Sequence, residues 1–233
     1  MAPTYISRRL SYHTDQKKLV IDEAGLLGVN APKIILGEPG MGKTKLISSL
    51  AAKLGVKAVS ASRFMRQSAT LQRIQPGKPL LIDSVEEAIA SDECAAVDEI
   101  LSKLESLGNP DFILACRARE WPDYALVKLG EVYPEQAVVF HLEPLNRDEA
   151  EGLLAEILDI SLVREVLNRM DVDCISELYH NPLTLEMMGK VAKTDAHLPS
   201  SRSALFERVC GLLWAEHNEG RAADALRHLT TEQ

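Results

Sequence analysis

A glycine-rich segment followed by a lysine and a threonine carries the clearest chemistry in this sequence. It matches the pattern G-x-x-x-x-G-K-[ST] at every defined position and reads Gly37, Glu38, Pro39, Gly40, Met41, Gly42, Lys43 and Thr44. Glycines permit the left-handed backbone angles that turn several N–H groups inward toward an anion. In this pattern the lysine reaches the β- and γ-phosphates of a nucleotide, and the threonine hydroxyl ligates Mg2+. We therefore expect residues 37–44, continued by Lys45, to bind ATP or GTP with magnesium.

The elements around this segment are those that the pattern requires. An apolar run, Lys33–Leu36, precedes it, and a helical run, Lys45–Leu54, follows it, so the positive end of a helix dipole would face the phosphates. Further apolar runs alternate with amphipathic stretches, namely Val56–Val59, Leu80–Ile82, Phe112–Cys116 and Val138–Leu142. This alternation is typical of βα units and predicts an α/β fold with a five-stranded, mainly parallel sheet flanked by helices.

Acidic residues follow one of these apolar runs. The run Leu80–Ile82 ends on Asp83, and a carboxylate at the end of a buried strand is where nucleotide hydrolases of this kind place an acid that helps to hold Mg2+. Glu86 and Glu87 come shortly after it, and either could orient or deprotonate an attacking water. They could equally be the acids of a first helical turn, which offset the helix dipole. The sequence favours neither glutamate as the catalytic one.

An arginine follows a neighbouring run. Phe112–Cys116 ends on Arg117, which we expect to lie beside the γ-phosphate and to sense its presence. The alternative is a surface arginine paired with an acid. Arg119 is a weaker candidate for the same role.

The chain is expected to divide into three parts. Residues 1–31 are polar, with a short helical pattern around Lys18 to Leu27, and residues 32–145 form the phosphate-binding domain. Residues 146–233 carry helical periodicity without strand signals and are expected to form a helical lid. This lid begins with Asn146 and Glu149 in the spacing of a capping box, and Pro182 stands where a proline opens a helix.

Taken together, these segments resemble a STAND-class P-loop NTPase of the NACHT-like type over about residues 1 to 215. GEPGMGKT resembles the Walker A motif, LLIDSVEE the strand with the Walker aspartate, and FILACRAREW the strand with the sensor arginine. HLEPLNRDEAEGLL resembles the strand leading into the lid, and NPLTLEMM resembles the lid helix whose proline touches the nucleotide. The resemblance implies that role for Pro182, and it implies an ATP-controlled signalling switch, in bacteria one of conflict or antiviral defence.

Two residues depart from the pattern of that family. Ser84 stands where the family has a glycine after the aspartate, and Glu86 stands where it has a second aspartate. Both changes leave the rate of hydrolysis open. A serine at position 84 also counts against AAA+ machines, which place a glutamate there. Members of the family are usually longer, so we expect the ATPase core of a larger protein, or a truncated product, that associates with itself or with further domains.

Composition limits the remaining choices. With 233 residues and 46% hydrophobic content the chain can hold a sheet domain and a smaller helical one. It has no apolar run long enough for a transmembrane helix and no secretory signal at its start, so we expect a cytoplasmic protein without a membrane partner. The net charge of -8 does not support a generally basic nucleic-acid-binding surface. The sequence lacks the Asn-Lys-x-Asp segment that recognises guanine, and this favours adenine as the base of the nucleotide.

Three functions therefore remain at this point. The first is a slowly hydrolysing ATP switch, the second a scaffold that binds ADP and does not turn over, and the third an AAA+-like ATPase that remodels protein or nucleic acid. A kinase is disfavoured because no acceptor site or further base is evident.

Overall fold

The computed structural model describes residues 5–14, 17–66, 75, 77–85, 93–122, 124–133, 136–172, 176–195 and 203–211. The chain divides into two compact units, one of residues 5–144 and one that contains everything from residue 145 onward. None of the helices within the described residues is long and apolar enough to cross a membrane.

Among its described residues, the first unit contains a seven-stranded sheet. Its strands are β1 (Leu10–Thr14), β2 (Lys17–Ile21), β3 (Lys33–Leu36), β4 (Val59–Ser60), β5 (Leu80–Asp83), β6 (Phe112–Cys116) and β7 (Val138–Leu142), in the order β2-β1-β7-β3-β6-β5-β4. The last five strands of that order are parallel. Four of them match the expected apolar runs, whereas β4 shares only Val59 with the expected run Val56–Val59. The predicted α/β fold with a mainly parallel sheet is confirmed, while the sheet has two strands more than expected.

Helices cover both faces of this sheet. They are α1 (Glu23–Gly28), α2 (Lys43–Leu54), α3 (Ala61–Arg66), α4 (Glu93–Ser106) and α5 (Tyr124–Val132). Side chains of the central strands alternate between two cores: Ile34 and Leu36 join α3, α4 and α5, whereas Ile35 joins α1 and α2. Every residue of β3 and β6 is buried. Burial on both faces explains why these strands read as unbroken apolar runs rather than as an alternating pattern.

The helical interpretation of Lys18 to Leu27 is wrong in its first half. Residues Lys17–Ile21 form β2, which pairs antiparallel with β1 in a hairpin, and β1 in turn pairs antiparallel with β7. The helix begins only at Glu23, because the Asp22 side chain accepts a hydrogen bond from the Gly25 N–H at 2.8 Å and caps it. Leu19 and Val20 are part-exposed on an edge strand, where apolar spacing can resemble that of a helix.

The described residues of the second unit form helices joined by short turns. It contains α6 (Arg147–Ala155), α7 (Ile160–Val172), a 3₁₀ turn at Ser176–His180, α8 (Pro182–Asp195) and helical residues 203–211. The capping box predicted at the start of α6 is present, since the Glu149 N–H donates to the Asn146 side chain at 2.8 Å and the Asn146 N–H donates back to Glu149 at 2.7 Å. The helices α6, α7 and α8 bury apolar faces within this unit.

Candidate functional site

The segment 37–44 forms a loop between β3 and α2. Gly40 and Gly42 have φ angles of 78° and 89°, which side chains other than glycine rarely adopt. Gly42 is the N-cap of α2, and no side chain caps the helix there. The Leu46 N–H already bonds to the Gly42 carbonyl at 3.0 Å. The loop thus leads directly into the first turn of a twelve-residue helix, whose N-terminal N–H groups lie at the loop.

Gly37 is required for a different reason from the one expected. Its φ angle is not positive, so it does not use glycine's left-handed freedom. A Cβ built at Gly37 would instead lie 3.2 Å from the Cβ of Leu142 on β7, closer than such atoms normally pack. The Gly37 N–H also donates to the Cys116 carbonyl at the end of β6, at 3.3 Å. The loop therefore starts in a narrow space between β7 and β6, where a side chain would require Leu142 to shift.

Lys43 is held over the loop that precedes it. Its side chain is buried, with the residue 8% exposed, and its ammonium donates to the carbonyls of Gly37 at 2.8 Å and Glu38 at 3.2 Å. A charged lysine is seldom buried unless it is paired or hydrogen-bonded, and these contacts orient the ammonium toward the loop. Strand, glycine loop, buried lysine and helix together make the first unit a P-loop NTPase fold.

The acid after β5 lies at the carboxyl edge of the sheet. Asp83 is the last residue of β5 and is half-buried. Ser84, which replaces the expected glycine, has a φ of 57° and so keeps the left-handed conformation that a glycine would adopt there. Glu86 and Glu87 lie outside the described residues, so their proposed part in water activation stays a prediction.

The expected magnesium ligands come from different elements. Thr44 is the second residue of α2 and is exposed, while Asp83 ends β5. Within the part of the chain that the structure describes, no group of three or more His, Cys, Asp and Glu side chains could hold a metal ion. Thr44 and Asp83 would thus need phosphate and water oxygens to complete an octahedral Mg2+ site.

Arg117 follows β6 directly beside the loop. The preceding residue, Cys116, provides the carbonyl to which Gly37 donates. The Arg117 side chain is 43% exposed and its Nη1 lies 3.1 Å from the Glu120 carboxylate. Arg119 reaches Glu38 of the loop only at 3.9 Å, with both side chains largely exposed. Arg117 thus pairs with an acid, as the surface-arginine hypothesis predicts. It also lies beside the loop, as the γ-phosphate-sensing hypothesis predicts.

Pro182 belongs to the second unit. It is the first residue of α8 and is buried there, and the Asn181 side chain caps the same helix by accepting from the Leu183 N–H at 3.0 Å. This is the position at which a helix tolerates proline best. A contact between Pro182 and a nucleotide stays a prediction.

Two residues near the loop were missed by sequence reasoning. Arg8 is 4% exposed, and its Nη1 lies 3.8 Å from the place where a Cβ on Gly42 would stand. Glu23 is 1% exposed, and its carboxylate accepts from the Arg8 N–H at 2.8 Å. Neither belongs to a recognisable motif, and a charged residue in a polar N-terminal stretch normally indicates a solvated surface.

Solved structures of low identity are similar to this chain. Domain III of the replication initiation protein DnaA from Thermotoga maritima matches at 16% identity over 77% of this chain and 82% of its own, with a TM-score of 0.44. A RuvB variant from Thermotoga maritima matches at 16% identity over 76% of this chain and 60% of its own, with a TM-score of 0.44. AMPPCP-bound DnaA from Aquifex aeolicus matches at 17% identity over 76% and 60%, with a TM-score of 0.42. No protein-family model matches the sequence, and no curated protein does.

Proposed function

We propose that this chain binds ATP with Mg2+ at residues 37–44 and hydrolyses it slowly. The observation that carries the proposal is the loop itself: Gly40 and Gly42 in the left-handed region, a buried Lys43 aimed back over the loop, and a helix starting at its end. Backbone N–H groups and a helix dipole in this arrangement form a concave site for anions, to which Lys43 adds a full positive charge. Adenine is favoured over guanine because the sequence lacks a guanine-reading segment.

Each residue of the proposed nucleotide site has its own role. Lys43 binds the β- and γ-phosphates, and Thr44 and Asp83 hold the magnesium ion, which neutralises charge on the phosphates when bound. Arg117 senses the γ-phosphate by exchanging its pairing with Glu120 for a phosphate oxygen, a geometry that suits a guanidinium. A glutamate after Asp83 orients the attacking water.

The nucleotide acts as a switch in this proposal. ATP and ADP differ by the phosphate that Arg117 reads, so the two forms would stabilise different states of the chain. Support comes from the order of segments that resemble STAND-class, NACHT-like NTPases and from the helical unit that follows the sheet unit. A role in bacterial antiviral signalling rests on that resemblance alone, as does assembly with itself or with further domains.

The test compares a buried lysine, Lys43, with an exposed one, Lys57. Lys43→Ala should weaken ATP binding by about a hundredfold or more, because each lost hydrogen bond to a charged phosphate is worth roughly 1.5–3 kcal/mol. Lys57 is exposed and lies beyond the end of α2, so Lys57→Ala should bind ATP as the parent does. Isothermal titration with ATP–Mg2+ measures both, with circular dichroism to show that the fold is kept.

Three outcomes separate the proposal from its rivals. Equal ATP affinity of the folded Lys43→Ala and Lys57→Ala chains would refute the nucleotide site. ADP that stays bound through purification, with no turnover, would support the scaffold. Fast, sustained turnover in excess ATP would support an AAA+-like machine instead of a switch.

A further inference from the structure

Residues 8–10, where β1 begins, lie at the same edge of the sheet as the loop of residues 37–44. Leu10 pairs with Leu142 at the carboxyl end of β7, and the Glu143 N–H donates to the Arg9 carbonyl at 3.0 Å. Leu142 is the residue that confines Gly37, the first glycine of the loop. Because β1 is antiparallel to β7, its beginning lies where the parallel strands end, and so residues 8–10 lie at the loop.

Arg8 is fixed there through both its backbone and its side chain. Its N–H donates to the buried Glu23 carboxylate at 2.8 Å, and its Nη2 donates to the Glu143 carbonyl at 2.7 Å. The other terminal nitrogen, Nη1, lies 3.8 Å from the position of a Cβ on Gly42. An arginine normally keeps its charged end in water, but this one is 4% exposed. The guanidinium is therefore held in one place, against the glycine at which α2 begins.

Positive charge is concentrated at that place. The N-terminal end of a helix carries a partial positive charge, and Lys43 adds a full one in the first turn of α2. The Arg8 guanidinium brings a further permanent positive charge to the same point, where it would attract a polyphosphate. Guanidinium groups are weakly hydrated and match phosphate oxygens in two-pronged hydrogen bonds, so burial favours this use of arginine over lysine.

We propose that Arg8 is a second phosphate-binding cation of this site, supplied from outside the loop and its helix. Backbone N–H groups near Gly42 cradle the α- and β-phosphates in loops of this kind, so Arg8 binds the phosphates that ADP and ATP share. Arg8 thus contributes to affinity for both nucleotides, whereas Arg117 distinguishes between them. This inference rests on the proposed function, since it requires that the loop bind a nucleotide.

The experiment uses two adjacent arginines. Arg8→Gln keeps a polar side chain that can donate hydrogen bonds, but it removes the charge and shortens the side chain. Arg9→Gln is the matched control, because Arg9 donates to the Pro144 carbonyl in an exposed position. Titrations of the parent and both variants use ADP and ATP, each with Mg2+. Arg8→Gln should weaken both nucleotides by similar factors of about ten- to a hundredfold, the range expected for hydrogen bonds to a charged group. Arg9→Gln should match the parent.

The outcomes separate this inference from the function on which it depends. If the parent chain binds neither nucleotide, both the proposed function and this inference are refuted. If the parent binds both, but a folded Arg8→Gln chain binds them as well as Arg9→Gln does, then Arg8 is only structural and the inference alone is overturned. A loss confined to ATP would also overturn it, because the contact would then be with the γ-phosphate.

A structure of the parent chain with ADP decides the case in which Arg8→Gln does not fold. A guanidinium nitrogen of Arg8 within hydrogen-bond distance of an α- or β-phosphate oxygen is the expected result. Separation of every guanidinium nitrogen from every phosphate oxygen by more than about 3.5 Å would overturn the inference.

Discussion

Replacing Glu23 by alanine should destabilise the sheet unit more than any change at an exposed charge. The Glu23 carboxylate is 1% exposed and joins three parts of this unit. It accepts from the Tyr5 hydroxyl at 2.6 Å and the Arg8 N–H at 2.8 Å in the N-terminal segment, and from the Ser49 hydroxyl at 3.3 Å and the Lys53 ammonium at 2.7 Å on α2. The same carboxylate thus ties the segment that carries Arg8 to the helix that begins with Lys43.

The magnitude follows from which donors lose their acceptor. In Glu23→Ala the buried N–H of Arg8 and the Tyr5 hydroxyl lose the carboxylate, and each such loss costs about 1–3 kcal/mol. The two together give about 2–6 kcal/mol. Lys53 is 49% exposed, so its ammonium returns to water and its ion pair adds less than about 1 kcal/mol. Lys53→Ala should therefore cost clearly less than Glu23→Ala, because the carboxylate keeps its hydrogen bonds from Tyr5, Arg8 and Ser49.

Chemical denaturation followed through one tryptophan measures this difference. The chain has two tryptophans, and Trp121 is a buried residue of the sheet unit, so Trp214→Phe leaves a reporter in that unit alone. Urea midpoints and slopes for the Trp214→Phe parent, Glu23→Ala and Lys53→Ala give the free energies of unfolding. If Glu23→Ala and Lys53→Ala lower that free energy equally, the carboxylate acts only as the partner of Lys53. Its role in joining the N-terminal segment to α2 is then refuted.

The same carboxylate makes stability depend on pH. Burial raises the pKa of Glu23, but hydrogen bonds from Lys53, Tyr5 and the Arg8 backbone outweigh it and hold the pKa below its ordinary value of 4.5. A depressed folded-state pKa stabilises the fold above the unfolded pKa, and this contribution is lost as the pH falls through the folded value. The free energy of unfolding should therefore decrease from about pH 5 downward. Glu23→Gln should show a shallower decrease but not a flat one, because the pKa of Glu143 is also lowered.

Three further changes test other parts of the site. Gly42→Ala forces a side chain into a φ of 89° and should lower the free energy of unfolding by about 1–3 kcal/mol, whereas Gly28→Ala meets open space and should be neutral or stabilising in the same denaturation assay. Glu86→Gln and Glu87→Gln should both keep ATP affinity, while at least one slows hydrolysis roughly a hundredfold. If both variants release phosphate at the parent rate, these acids only offset the dipole of a first helical turn. Pro182→Gly should weaken ATP and ADP binding by similar factors in titrations, and affinities unchanged from the parent would leave Pro182 as a helix-opening residue only.

The parallel part of the fold could be predicted because its signals are local. The runs at Lys33–Leu36, Phe112–Cys116 and Val138–Leu142 were predicted with the bounds that the structure has, since strands covered on both faces need only apolar residues in sequence. The end of α4 is also marked locally, since Gly108 has a φ of 80° just beyond it, as glycines that terminate helices commonly do. The loop of residues 37–44 is similarly local, because its left-handed backbone angles occur at glycines, Gly40 and Gly42.

The N-terminal hairpin could not be predicted because its evidence is not local. Its first strand exists through pairing with β7, at the far end of the sheet unit, as in the register of Leu10 with Leu142. Its second strand is exposed on nearly every residue and so lacks an apolar face. A Glu23 carboxylate in a polar stretch gives no sign that donors from two separate segments converge on it. Sequence patterns report burial along one element, whereas this part of the site is made by contacts between elements.

Ser84 shows how a departure in sequence can leave a geometry intact. A serine in the left-handed region costs of order 1–2 kcal/mol relative to a glycine, and such a residue persists only where its surroundings hold it. Asp83, in the β5 ladder, precedes it, and Val85, fully buried, follows it, so the backbone has little freedom to relax. The turn that a glycine would make is therefore made by serine, and Asp83 keeps its position at the sheet edge. Loss of the glycine alone is thus no reason to expect loss of the proposed hydrolysis, whose rate we expect to depend on Glu86 or Glu87.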